Sequence, residues 1–230
     1  LLPTLLIGLC QTTAFQGLEQ LALLNGGAGH VALLAYTMPF WAVLLAWLLL
    51  GDRPTARHWL GVALAAVGLV CIIEPWRDLG SALSTTLAIA GGVAWAAGTV
   101  LSKRMFRQHA PSVLSLTAWQ MLLGGMALGL LALAVPERVI DWNWAFIGGL
   151  TYSVLLASSL AWWLWSIVLQ RLPTTVASVS SLGVPIVSVL LAWLILHEQP
   201  SAMELVGIVF VLLGLLAVSG VGARRRPGMP

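Results

Sequence analysis

The chain has 230 residues, of which 60% are hydrophobic and 8% charged, with a formal net charge of +3. A water-soluble domain dresses its surface with roughly a quarter of charged residues, so this composition excludes one and makes lipid the solvent. The positive excess sits in loops and a basic tail and does not read as a nucleic-acid surface.

Taken in chain order, apolar runs of about 18 to 24 residues recur, each long enough to cross about 30 Å of hydrocarbon at 1.5 Å per residue. Eight are predicted, near residues 2–24, 31–50, 57–73, 82–102, 113–135, 145–169, 175–196 and 203–221. Breaks such as GDRPTARH, KRMFRQHAPS and HEQPSAM are short, polar and rich in Pro, Gly and charge, so they are turns with no room for a soluble domain. Helices satisfy their own backbone in lipid, and the short alternating strands of a barrel are not seen. The predicted fold class is therefore an all-α polytopic membrane protein with eight transmembrane helices, and no secretory cleavage signal is seen.

Charge sets the orientation, because Lys and Arg collect in cytoplasmic loops. Assigning loops to alternate sides puts Arg53, Arg57, Lys103, Arg104, Arg107, Arg171 and the tail Arg224, Arg225 and Arg226 on one side, against Arg77 and Arg138 on the other. The C-terminus is thus expected in the cytoplasm.

Two stretches repeat. MPFWAVLLAWLLLGDRP (38–54) returns as VPIVSVLLAWLILHEQP (184–200), an offset of 146 residues that also places Pro54 on Pro200, Gly61 on Gly207 and Gly68 on Gly214. Matched prolines and glycines are harder to obtain by chance than matched leucines. The copies stand five helices apart, an odd number, so the second enters the membrane from the opposite side, and Arg53 and Arg57 give way to Gln199 and Met203. The same spacing predicts a fold of five plus five helices whose first two would precede Leu1. Residues 1–73 then hold the last three helices of the first repeat, 82–221 the second repeat of five, and 222–230 a basic cytoplasmic tail.

GGAGHVALLAYTMPFWAVLLAWLLLGDRPTARHWLGVALAAVGL, AWAAGTVLSKR, SLTAWQMLLGG and LGVPIVSVLLAWLILHEQPSAMELVGIVFVLLGLL together resemble EamA-type transporters of the drug/metabolite transporter superfamily. The resemblance covers nearly the whole chain. It implies a bacterial inner-membrane carrier with ten helices and a central cavity, exporting amino acids or other small metabolites by alternating access, and it agrees with the absent pair of helices.

In lipid, Pro39 and Pro185 are expected to kink or loosen their helices and so to serve as gates, since proline removes a backbone bond and clashes with the preceding turn. Asp52 and Glu198 read as turn and cap residues favouring the next helix start. Polar residues at depth are costly unless they face a cavity or a partner. Glu19, with Thr12, Phe15 and Gln16 at helical spacing, is one candidate for a coupling carboxylate; reaching toward the outer interface or pairing with His30 is the alternative. Gln16, Tyr36, Trp95, Trp119, Gln120, Ser158, Ser159 and Trp162 complete the substrate-cavity candidates, aromatic walls with a few hydrogen-bonding groups. Trp59, Trp76, Trp142 and Trp144 lie near helix ends as interface anchors. Ser158, Ser159 and the pairs Gly91–Gly92 and Gly124–Gly125 also suit close helix approach.

Catalysis finds no machinery. His30, His58, His109 and His197 are scattered at helix ends without metal-ligand spacing, Cys10 and Cys71 lie in apolar spans, and no G-x-x-x-x-G-K-[ST] loop is present to bind ATP. The predicted function is secondary-active transport, most simply export, of a small molecule, with no cofactor, a coupling proton or cation, the lipid bilayer and a second copy in a homodimer as its partners. A membrane scaffold without solute flux is the alternative, and an intramembrane hydrolase lacks a base at depth.

Overall fold

The computed structural model describes residues 1–26, 31, 34–73, 81–134, 141–197 and 200–219. Its described residues are helical with no strands. We number the helices α1 (residues 2–25), α2 (Met38–Leu50), α3 (Ala56–Ile73), α4 (Ala82–His109), α5 (Val113–Ala132), α6 (Trp144–Arg171), α7 (Thr174–Ser180), α8 (Gly183–Leu196) and α9 (Ala202–Ser219). Among the described residues, five stretches are long and apolar enough to cross a membrane: α4, α5, α6, Thr174–Ile195 (α7 with α8) and α9. Helix α2 and residues Ala56–Ile72 are shorter apolar helices. This is a multi-pass membrane architecture.

The 146-residue offset holds in local structure as well as in sequence. Helix α1 widens into a π-helical winding at Leu9–Ala14, and α6 does so at Ser153–Leu160, the stretch that the offset brings onto it. Such windings insert a residue into the i to i−4 ladder and often mark functional segments. Both predicted Pro sites follow a break. Residues 34–35 are helical, Tyr36 and Thr37 form a turn, and α2 starts at Met38 with Pro39 in its first turn. In the second copy α7 stops at Ser180, Ser181 and Leu182 form the turn, and Pro185 follows in the first turn of α8. The interruption falls ahead of the proline because the ring clashes with the carbonyl four residues earlier, while its fixed φ suits a helix start. The Thr37 hydroxyl bridges the first break, donating to Leu34 O at 2.6 Å and accepting from Trp41 Nε1 at 3.2 Å.

Caps repeat too, and they correct the expected capping role of Asp52. Thr55 starts α3: its hydroxyl accepts from His58 N at 3.4 Å, and His58 Nδ1 accepts from Thr55 N at 3.2 Å. Its counterpart Ser201 starts α9 in the same reciprocal way with Glu204, at 3.1 and 2.6 Å. These are capping boxes. Asp52 caps nothing; its carboxylate takes two bonds from the Arg107 guanidinium, 2.9 and 2.7 Å, three residues before the true cap. Glu198 lies outside the described residues, as do His30, Trp76 and the basic tail.

Helices α3 and α9 cross at glycines. A Cβ on Gly61 would meet Gly214 O at 2.7 Å, and one on Gly68 would meet Gly207 O at 2.6 Å. As one residue number rises the other falls, so the two equivalent helices run antiparallel. Around them Val43, Leu69, Val179, Leu182, Ile186 and Val211 form the largest buried apolar cluster among the described residues, drawn from α2, α3, α7, α8, α9 and the turn between α7 and α8. Helix α1 packs against α4 and α5, where Gly8 and Gly124 bring backbones into contact, as expected for Gly124. The first two thirds of α6, in contrast, bury no residue.

Candidate functional site

Helix α4 organises the site through one ridge with four-residue spacing: Trp95, Thr99, Lys103 and Arg107. Residues four apart on a helix are neighbours. Together they reach three elements: α6 at two levels, α1, and the turn after α2. Trp95, 5% exposed, stacks obliquely on Trp165 of α6, with ring centroids 5.0 Å apart and planes at 39°. The Thr99 hydroxyl accepts from Gln11 Nε2 of α1 at 3.0 Å. Lys103 Nζ donates to carbonyls at the end of α6, and Arg107 forks onto Asp52 beyond α2.

At the Trp95 end lies a cavity of about 170 Å³ lined by Trp95, Ala157, Ala161, Trp162 and Trp165. Phe15 of α1 and Met38, Trp41 and Leu45 of α2 pack against the same buried group of Ala42, Trp95 and Ala96. The cavity is therefore walled by residues after 82 and backed by residues before 73. Two of its indoles, Trp95 and Trp162, are among the residues expected from the sequence. Trp165 is not, although its i, i+3 spacing from Trp162 puts it one turn along the same helix. The Trp165 Nε1 is buried and has no partner among the described residues. The small alanines at 157 and 161, both exposed, leave an open depression beside the three indoles. Such an arrangement can stack a flat apolar group or hold a cation against ring faces.

The other expected residues scatter around it. Glu19 is half-buried where α1 crosses α4, its Cγ 3.6 Å from the position a Cβ would take on Gly91. Tyr36, in the break before α2, is within electrostatic reach of the Glu19 carboxylate and also packs against the large apolar cluster. Gln16 is half-buried on α1. Gln120 is 2% exposed, and its Oε1 has no partner among the described residues. Its neighbour Trp119 is 51% exposed, because successive residues on a helix point about 100° apart and Gln120 takes the inward direction. Ser158 and Ser159 lie on the exposed π winding of α6, and the Ser159 hydroxyl donates to Val154 O at 2.7 Å. Two buried hydroxyls without partners among the described residues, Thr174 Oγ1 and Ser178 Oγ, sit one turn apart on α7 and carry no signal in the sequence pattern. Among the described residues no group of three or more His, Cys, Asp or Glu could hold a metal ion.

Comparison with known proteins places this geometry. Protein PecM of Dickeya dadantii is 29% identical over 208 residues, covering 88% of this chain and 69% of its own. A Salmonella typhimurium protein named "Probable amino-acid metabolite efflux pump" is 28% identical over 210 residues, covering 86% and 70%. A protein of known crystal structure superposes with a TM-score of 0.81 at 19% identity, over 98% of this chain and 79% of its own, a likeness of fold alone. The model of the EamA-like transporter family matches residues 1–74 and again 83–220. Two matches to one family, in the two stretches whose glycines cross at α3 and α9, make the chain a member of the EamA-like transporter family.

Proposed function

We propose that the protein is a secondary-active exporter of a small metabolite in the bacterial inner membrane, with its C-terminus in the cytoplasm and its substrate held in the Trp95–Trp162–Trp165 cavity. The observation that carries this reading is the position of that cavity, walled by one repeat and backed by the other. In a ten-helix, five-plus-five arrangement, rocking one unit against the other about the breaks before Pro39 and Pro185 exposes such a cavity to each side in turn. Amino acids or related compounds are the substrate class, in keeping with the name carried by the Salmonella relative. An indole box suits those with an apolar or cationic side group.

Glu19 is the proposed coupling carboxylate, at the crossing of α1 and α4 beside Tyr36. A metabolite efflux profile of cells expressing the full-length protein, set against cells lacking it, is the test. Selective loss of one compound class from the cytoplasm is expected, and identical profiles overturn the reading. Export by Glu19→Gln that keeps its normal dependence on the proton gradient removes Glu19 from the coupling step while leaving transport in place.

A further inference from the structure

A helix ends in carbonyls that nothing inside it satisfies, and its dipole leaves that end negative. At the end of α6 this charge meets an ammonium from another helix. Lys103 Nζ donates to the carbonyls of Leu169 at 2.8 Å, Gln170 at 3.3 Å and Leu172 at 2.7 Å. The residue is 6% exposed. An ammonium carries three hydrogens, so three carbonyls saturate it. Charged groups nearby include Arg104, next in the chain, Arg171, between two of the carbonyl residues, Arg107, one turn along α4, and Asp52, whose two carboxylate oxygens are taken by Arg107.

We propose that the C-terminal end of α6 is a cation cradle filled from within by Lys103, and that this tether makes Lys103 a positioning residue for the Trp95–Trp165 wall. Helices α4 and α6 meet at two levels along one seam. Trp95 touches Trp165 at one level; two turns along α4, about 12 Å at 1.5 Å per residue, Lys103 holds the turn that follows Trp165 on α6. A helix segment of that length is stiff, so the carbonyl bonds fix how far α6 slides along α4. That displacement sets the overlap of the two indoles. The neighbouring turn of α6 is held to a different helix, α5, by Thr117 Oγ1 donating to Ser166 Oγ at 2.8 Å. Leu172 also begins the extended step into α7, so the cradle grips the joint between two helices. Arginine cannot substitute, because its hydrogens lie in a plane on three nitrogens and do not converge on three carbonyls from one point.

The test is a spectroscopic double-mutant cycle on the purified full chain in detergent, which needs no substrate. Near-ultraviolet circular dichroism is recorded for the parent and for Trp95→Phe, giving the contribution of the stacked pair, and then again with Lys103→Met and with Lys103→Arg. The Trp95 contribution is expected to fall by about half or more in both Lys103 variants, since either disturbs the register. Methylammonium chloride at about 50 mM should restore it in Lys103→Met by occupying the cradle, whereas tetramethylammonium, which has the charge and no N–H, should not. An unchanged Trp95 contribution in the Lys103 variants overturns the proposal, as does restoration by both salts or by neither. If Lys103→Met does not yield monodisperse protein, the cycle is run on Lys103→Arg alone, where a reduced Trp95 contribution supports the tether and an unchanged one overturns it. The inference rests on the transport reading only for calling this wall a substrate wall. An intact cycle in a protein that moves no solute leaves the cradle standing and overturns transport alone.

Discussion

Gly68 and Gly207 meet backbone to backbone, and a Cβ placed on either would lie 2.6 Å from the carbonyl oxygen of the other. Gly61 and Gly214 repeat the contact two turns away. Because Gly61 corresponds to Gly207 and Gly68 to Gly214 in the repeat, each glycine touches the counterpart of its own helix-mate. That cross-pairing is what a twofold relation between antiparallel units requires.

Gly68→Ala should therefore separate α3 and α9 and lower thermal stability in detergent by about 1–3 kcal/mol, the usual range for forcing volume into a packed contact. Gly125→Ala, at a position with nothing within 4 Å, should leave the melting temperature unchanged or slightly raised.

Trp95→Ala and Trp165→Ala should each weaken substrate handling by about ten-fold in KM, since an aromatic contact contributes about 1–2 kcal/mol. Trp119→Ala, on the exposed side of α5, should stay within about two-fold of the parent. Concentration dependence of efflux distinguishes the two outcomes.

The Asp52–Arg107 fork ties the turn after α2 to the end of α4, with side chains 28% and 41% exposed. At that exposure a double-mutant cycle of Asp52→Asn with Arg107→Gln should give a coupling of about 0.5–1 kcal/mol, fading as salt is raised. Asp52→Ala should cost nothing through helix capping.

Thr55→Ala and Ser201→Ala should each destabilise by about 1 kcal/mol, because each removes the hydroxyl that satisfies a first-turn amide. Chemical unfolding in mixed micelles measures both, and equal losses at the two sites would show that the repeated caps are equivalent.

Substituting Pro39 by Ala should restore a backbone donor across the break and straighten the approach to α2, slowing transport without lowering the melting temperature. Pro185→Ala should act in the same direction at the second break.

The repeat was legible in sequence because Pro39, Pro185 and the paired glycines are chosen by backbone geometry, which leaves few alternatives. Trp95 and Trp162 were legible as aromatic residues at depth. Trp165 was not, since three indoles within four positions, Trp162, Trp163 and Trp165, differ only in the direction each faces. Trp163 is 38% exposed while Trp165 meets Trp95. Asp52 misled because an acid before a helix usually caps it, and here a guanidinium 55 residues away claims the carboxylate first. Lys103 read as a loop charge setting orientation; that it folds back onto the end of α6 depends on a long-range contact that local pattern does not encode.

The ridge along α4 restricts which motions are open to the molecule. Trp95, Thr99, Lys103 and Arg107 engage α6 at two levels, α1 and the turn after α2 from one helix of 28 residues. Turning that rod by a single residue, about 100°, would break the indole stack, the amide bond, the carbonyl tether and the ion pair together. Tilting it about one end strains chiefly the contacts at the other. Helix α4 is thus held against rotation about its own axis by all four contacts at once, whereas a tilt loads them unequally.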